Sequence, residues 1–200
     1  MPAKKISGLS AASLPLTGSE LIEVSQVVGG ILDSYQATTA DAAFAGAKYG
    51  SFYDVTDQTG NIAAATAVKF GTNDIDTKGV TVVTNGSTLT RITYAAAGTY
   101  TVAPSLQFVN SDSSDHDVTI WLAKQGTAIP ATSTRITVPK AADGGSAFFA
   151  TVFYVTVTAG QYLEVMWLPE NAAVTLDYVA AGAIAPAIPS AIVVTERIDL

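Results

Sequence analysis

One histidine, His116, stands in the 200 residues. A serine–histidine–acid triad or an imidazole metal site therefore has only one place to be built. His116 lies in Asp112-Ser113-Ser114-Asp115-His116-Asp117, where hydroxyls, carboxylates and an imidazole crowd together. Consecutive residues on a turn cannot all converge on one point, and a strand that follows sends alternate side chains to opposite faces. An Asx-type turn uses the same residues for structure. The chain has no cysteine, which removes thiol nucleophiles, thiolate metal sites and disulfides together.

The remaining constellations are incomplete. Asn73-Asp74-Ile75-Asp76 spaces oxygen ligands as a calcium loop would, but lacks the full loop and its closing bidentate glutamate. Glu164 and Glu170 are the carboxylates to examine as a glycosidase pair. Glu164 shares a face with Tyr162 and Met166, whereas Glu170 follows Pro169 in a loop, so nothing aims them at a common ligand. No β-helix repeat is present on which a polysaccharide-degrading site could be built. Gly144-Gly145 lacks the following lysine and the strand–helix context of a phosphate loop. Trp121 and Trp167 could stack on sugars, but their places in apolar runs suit buried packing better. The residues point to a chain that is not an enzyme, with no catalytic, cofactor-binding or metal-ligating set.

Charge narrows the partners. Ten basic residues oppose 17 acidic ones, for a formal net charge of −7. Lys4, Lys5, Lys48, Lys69, Lys78, Arg91, Lys124, Arg135, Lys140 and Arg197 are dispersed, so no run tracks a phosphate backbone and nucleic acid is not an expected partner. Lys4-Lys5 is not followed by an apolar core of signal-peptide length. No stretch approaches the ~18–20 apolar residues that span a bilayer, so membrane insertion is not expected. Hydrophobic residues make up 48% of the chain and charged residues only 14%. That balance suits a protein that buries further surface against copies of itself or a partner.

The elements that must position these residues fall into two kinds, divided near residue 50. In the opening Ile6-Ser7-Gly8-Leu9-Ser10-Ala11-Ala12-Ser13-Leu14-Pro15-Leu16-Thr17-Gly18, Gly, Ser and Pro prevent a long helix. Glu20–Val28 alternates as a strand does, without a nearby partner of similar quality. Thr38 or Thr39 can cap a short helix over Ala40–Ala47, with Asp41 favourable in its first turn. This segment reads as a short extended arm that orders on another surface.

From Tyr49 the pattern is all β. Runs rich in Val, Thr, Ile, Phe and Tyr are bounded by Gly, Asn, Asp or Pro. Strands are expected at residues 51–57, 66–70, 80–84, 88–94, 98–110, 117–124, 135–139, 147–158, 161–168, 174–179 and 191–197. Asn85-Gly86 suits a tight hairpin, and Ala159-Gly160 lies between two strong runs. About ten strands without βαβ alternation predict an all-β sandwich or jelly roll.

Alternation then sorts the faces. Val118, Ile120 and Leu122 oppose Thr119, Trp121 and Ala123. Phe149, Thr151, Phe153, Val155 and Val157 oppose Ala150, Val152, Tyr154 and Thr156, and Leu163, Val165 and Trp167 oppose Tyr162, Glu164, Met166 and Leu168. Strands apolar on both faces fill a sandwich with one and need a cover for the other, for which a subunit interface is the simplest choice. Trp121, Phe149, Phe153, Val155, Tyr162, Met166, Trp167, Ile192 and Val194 are thus candidates for the core or for such an interface.

Several ordered segments resemble the tumour necrosis factor-like and complement globular-head-like jelly rolls of phage structural proteins. Gly50-Ser51-Phe52-Tyr53-Asp54-Val55-Thr56-Asp57-Gln58-Thr59 is similar to the opening strand of that group, followed by Val68-Lys69-Phe70. Arg91-Ile92-Thr93-Tyr94 and Gly98-Thr99-Tyr100, running into Ser105-Leu106-Gln107-Phe108, resemble its next hairpin and long central strand. Asn110-Ser111-Asp112 and His116-Asp117-Val118-Thr119-Ile120-Trp121-Leu122 follow in order. Phe153–Leu168 resembles the paired strands before the closing one, and Pro189-Ser190-Ala191-Ile192-Val193-Val194-Thr195 the final strand. Ile6-Ser7-Gly8-Leu9 with Leu16-Thr17-Gly18-Ser19-Glu20-Leu21-Ile22-Glu23-Val24 resembles the attachment segment that opens many phage fibre and appendage proteins.

The resemblance implies a division of labour. Residues 1–49 would be a virion-attachment arm, with Ile6, Leu9, Leu14, Leu16, Leu21, Ile22 and Val24 as its contacts. Residues 50–200 would be a trimeric jelly-roll head on the outside of a tailed-phage particle. The function it implies is a non-enzymatic homotrimer that decorates or cements the capsid, or forms a head fibre, bound to the major capsid protein or another virion protein. The alternative is the receptor-binding head of a tail fibre or appendage that recognises a host surface glycan or protein.

Overall fold

In a computed structural model of the chain, the alternating runs become strands. The structure describes residues 21–28 and 31–38 as backbone and residues 47–199 with their side chains. The chain divides into two units, residues 1–47 and 48–200.

In the first unit, β1 (Leu21–Val28) pairs antiparallel with β2 (Ile31–Thr38), in register from Leu21↔Thr38 to Val28↔Ile31. This corrects the expectation that the strand over residues 20–28 lacks a nearby partner. Gly29-Gly30 between the runs is the composition of a two-residue hairpin loop. The partner run, ILDSYQAT, is hard to see because few of its residues are β-branched. The candidate helix over 40–47 lies, apart from Ala47, outside the described residues. So do the attachment candidates Ile6, Leu9, Leu14 and Leu16, and the side chains of Leu21, Ile22 and Val24.

The second unit holds β3 (Tyr49–Asp54), β4 (Gln58–Thr59), β5 (Thr66–Ala67), β6 (Thr72–Asn73), β7 (Val80–Asn85), β8 (Thr88–Tyr94), β9 (Gly98–Asn110), β10 (His116–Lys124), β11 (Thr127–Ala128) and β12 (Thr134–Val138). It continues with β13 (Ser146–Ala150), β14 (Phe153–Val157), β15 (Tyr162–Pro169), β16 (Val174–Leu176) and β17 (Ala191–Arg197). One sheet runs β4–β16–β9–β17–β3–β6, with β13 and β14 on the other edge of β9. The second runs β11–β10–β15–β8–β7, with β12 on β10 and β5 on β15. Let β13 and β14 count as one strand and number the long strands from β3, leaving aside the β7 arm of its hairpin. One sheet then reads first, eighth, third, sixth, and the other second, seventh, fourth, fifth. Every pairing is antiparallel, and this interleaved order is that of a jelly roll.

Interleaving explains where local reading fails. Ala159-Gly160 does not close a hairpin: β14 lies in one sheet and β15 in the other, so Phe153–Leu168 is not a pair of neighbouring strands. Gly160 takes a φ of +82° and donates its amide to Tyr94 O at 2.7 Å, tying the crossover to the second sheet. Residues 95–97 likewise carry the chain from β8 to β9, in different sheets, rather than closing a hairpin. The hairpin at Asn85-Gly86 does form. Asn85 pairs with Thr88, leaving Gly86-Ser87 as the loop, and Gly86 supplies the positive φ of +64°.

One break comes from a single residue. β13 and β14 pair with β9 in the same register: Ala150↔Ser105 and Phe153↔Val102 continue one ladder. Between them Thr151 faces Pro104, whose carbonyl accepts the Thr151 amide at a long 3.4 Å. Pro104 has no N–H to return, so the ladder lapses although the strand runs straight on. The run expected over 147–158 is thus one strand in geometry and two in hydrogen bonding.

Inward parity is uniform. Val118, Ile120 and Leu122 from β10 and Leu163, Val165 and Trp167 from β15 meet Tyr100, Val102, Leu106 and Phe108 from β9, all buried. The Trp167 and Phe108 rings lie 5.7 Å apart, tilted by 59°. Tyr94 and Tyr100 pack at 4.4 Å near the β8–β9 crossover.

Candidate functional site

The lone histidine is spent on its turn. His116 Nε2 lies 2.7 Å from Asp112 Oδ2, and the other oxygen, Oδ1, accepts the Ser113 amide at 2.7 Å. The His116 bond first, and the Ser113 amide next, hold the Asp112 carboxyl below the usual carboxylate range. Ser113 Oγ turns to Asp112 at 3.4 Å and not to the imidazole, so no nucleophile is activated. Asp115 accepts the Lys140 amide and Asp117 accepts the Thr137 hydroxyl; the acids brace loops.

The other candidates separate in the same way. Glu164 and Glu170 are six positions apart, along β15 and one residue past its end, a rise of roughly 20 Å, against the ~5–9.5 Å of a glycosidase pair. Glu170 Oε2 accepts the Asp117 amide at 3.0 Å. In the acidic turn, Asp74 accepts the Ser51 hydroxyl at 3.1 Å, and among the described residues no three acidic or histidine groups converge. Gly144 and Gly145 take positive φ of 101° and 61° in the turn after a short 3-10 helix, Ala141–Asp143. Gly145 has no room for a side chain, since a Cβ there would meet Asn110 O at 2.8 Å.

The interface candidates divide into three sets. Phe149, Val155 and Trp167 are buried in the core, and Phe153 is half-buried against it. Trp121, Tyr162 and Met166 are half-buried on the outward face of the second sheet, Trp121 directly across from Met166. Ile192 and Val194 point outward from the first sheet, where they join Phe148, Val152 and Tyr154 on the face away from the core. Phe148 is 58% exposed, Val152 55%, Tyr154 68% and Val194 46%. Register sets them side by side: Ala150, Ser105, Ile192 and Tyr53 form one row, and Ala103 and Val194 lie in the next. Along the outward positions of β9, β13, β14 and β17, the one charged residue is Glu196. The exposed apolar side chains on this face are thus interspersed with Thr, Ser and Gln and with a single charge.

A second feature was not legible in sequence. A cleft of about 440 Å³ lies between residues 58–61, 65–69 and 85–90 and is lined by Gln58, Thr59, Asn61, Lys69, Asn85 and Thr88 among others. Its walls are braced from behind. The Gln58 side chain is buried and bonds both backbone groups of Lys69, at 2.8 and 3.2 Å. Glu164, only 4% exposed, accepts from Thr90 Oγ1 at 2.7 Å and Asn85 Nδ2 at 3.3 Å. Arg91 Nε stands 3.8 Å from that carboxylate, and its guanidinium lies 4.3 Å over the Tyr162 ring. Glu164 is 74 and 79 residues from its partners Thr90 and Asn85, which is why spacing gives no hint of the cluster.

The fold and these surfaces define an all-β jelly-roll sandwich with an exposed apolar sheet face. No protein-family model matches the chain, and no curated protein matches it. Among solved structures it is similar to murine APRIL at pH 5.0, with 10% identity and a TM-score of 0.46, over 76% of this chain and 99% of that one. It is also similar to murine APRIL at pH 8.0, with 8% identity and a TM-score of 0.47 over the same shares. The jelly-roll assignment rests on the strand order of the two sheets.

Proposed function

We propose that this chain is a non-enzymatic structural protein on the exterior of a tailed-phage particle. In this reading it is a homotrimer that decorates or cements the capsid, or forms a head fibre, and its first 49 residues attach it to the major capsid protein or another virion protein. The observation that carries self-association is the outward face of β9, β13, β14 and β17, where Phe148, Val152, Tyr154 and Val194 stand exposed in adjoining positions. A second copy laid on that face removes apolar surface from water at about 25 cal/mol per Å² and covers almost no charge. Threefold symmetry and the virion setting are supported by the resemblance of residues 50–59, 68–70, 91–94, 98–100, 105–108, 110–112, 116–122, 153–168 and 189–195 to phage jelly-roll heads. Three linked arms also bind at high effective concentration once the first is seated.

The test is incorporation. Particles assembled with the labelled full chain are expected to carry the label on the shell in electron microscopy, and a chain lacking residues 1–49 is expected to be absent. Label at the tail tip, or incorporation without those residues, would overturn the capsid reading. A second reading, a receptor-binding tail-fibre head that recognises a host surface glycan or protein, is favoured by one observation, the polar cleft beside Asn85 and Lys69. Specific adsorption of the isolated protein to host cells is its expected signature.

A further inference from the structure

We propose that the cleft between residues 58–61, 65–69 and 85–90 binds a small polyhydroxylated carboxylate of the uronic-acid class. This deepens the second reading above. Three observations carry it.

The first is unused hydrogen-bonding capacity. Among the described residues the Lys69 ammonium and the Thr59 and Thr88 hydroxyls have no hydrogen-bond partner, Asn85 spends only its amide nitrogen, and Asn61 only its carbonyl. The cleft beside Asp117 and Arg135 is different. There Arg135 pairs with Asp117 at 3.3 Å, Thr137 donates to Asp117, and Glu170 takes the Asp117 amide. Those groups satisfy one another, whereas in the first cleft Lys69, Thr59 and Thr88 are left open beside the bonded Gln58, Thr66 and Thr90.

The second is bracing by buried polar side chains. A carboxylate out of water is costly unless it is well bonded, and Glu164 is bonded to Thr90 and Asn85, on the cleft wall. Gln58, 2% exposed, fixes the backbone of Lys69 from the other side. Fixed polar groups supported from behind are what a binding site needs for orientation.

The third is charge. In a chain of net charge −7, an unpaired ammonium at the cleft gives a local preference for a carboxylate. Surrounding amides and hydroxyls suit the ring hydroxyls of a sugar acid. The lining has no aromatic ring for a sugar to stack on, so single-site binding is expected to be weak and to gain from several copies acting together.

The experiment is a titration of the isotope-labelled full chain with glucuronate, glucose and acetate, followed by amide NMR. Glucuronate is expected to give saturable shifts at residues 58–69 and 85–90. Its affinity should exceed that for glucose by about fivefold, the size of one exposed ion pair, and Lys69→Met should abolish that margin while leaving glucose binding in place. Absence of saturable shifts, shifts centred elsewhere, an unchanged margin in Lys69→Met, or equal binding of acetate would each overturn the inference. If the same protein then still adsorbs to host cells, the receptor reading stands and only the sugar-acid site falls.

Discussion

At the scale of single residues, a buried phenol and a hydrogen-bonded surface carboxylate tie stability to pH in opposite senses. Tyr94 is fully buried, and its hydroxyl lies 3.1 Å from Thr195 Oγ1, which donates in turn to Thr101 O at 2.7 Å. Burial pushes the Tyr94 pKa well above its ordinary 10, with the Thr195 bond opposing in part. The folded state therefore holds the phenolic proton more tightly than the unfolded state. That stabilisation is fully present below about pH 10 and is lost as pH rises beyond it. Absorbance at 295 nm is expected to show the Tyr94 phenolate only together with unfolding, whereas an early, reversible titration of every tyrosine would contradict its burial. Asp112 works in the opposite sense. Its carboxyl is held below the ordinary value of 3.8, first by His116, so its contribution is present above that value and fades as pH falls below it. Asp112→Asn is expected to shift the acid unfolding midpoint upward, measured by circular dichroism against pH.

At the scale of elements, the long central strand and its neighbour carry a built-in gap. Pro104 offers Thr151 a carbonyl but no amide, so hydrogen exchange at the Thr151 amide is expected to run faster than at Phe149 and Val155 on the same strand. Equal protection along residues 149–155 would show the ladder to be intact there. Strand limits were most legible where strong β-formers ended at turn residues: residues 88–94, 98–110 and 191–197 are observed as their pattern predicts. The grouping of Val118, Leu163 and Phe149 with their own faces was equally legible, because a two-residue period sorts faces without fixing partners or saying which face turns inward. Partners were not legible. Phe153–Val157 and Tyr162–Pro169 are adjacent in sequence yet lie in different sheets, since jelly-roll order is set by long-range closure rather than by local turns. The β1–β2 hairpin was hidden by the weak β-composition of residues 31–38. The polar cleft was hidden because its wall joins residues 58–69 to residues 85–90 and is braced from Glu164.

At the scale of the whole molecule, the two outward faces differ in what they leave open. On the second sheet Trp121, Tyr162 and Met166 are half-buried within the chain, whereas on the first sheet Phe148, Val152, Tyr154 and Val194 are open to solvent. The interface candidates chosen by alternation alone were therefore spread over core and both faces, and only Ile192 and Val194 fall on the open one. Because Val152 and Tyr154 face solvent, replacing both with Asp is expected to cost folding within about ±0.5 kcal/mol per site in the isolated subunit, while placing charge at the proposed contact between copies. The most direct measurement is multi-angle light scattering of the full chain at micromolar concentration, alongside the Val152→Asp/Tyr154→Asp variant. The expected result is a mass three times the 20.5 kDa chain for the native sequence and a single-chain mass for the variant, with unchanged circular dichroism. A native chain that scatters as a monomer, or a variant that remains a trimer, would contradict the assignment of this sheet face as the subunit interface.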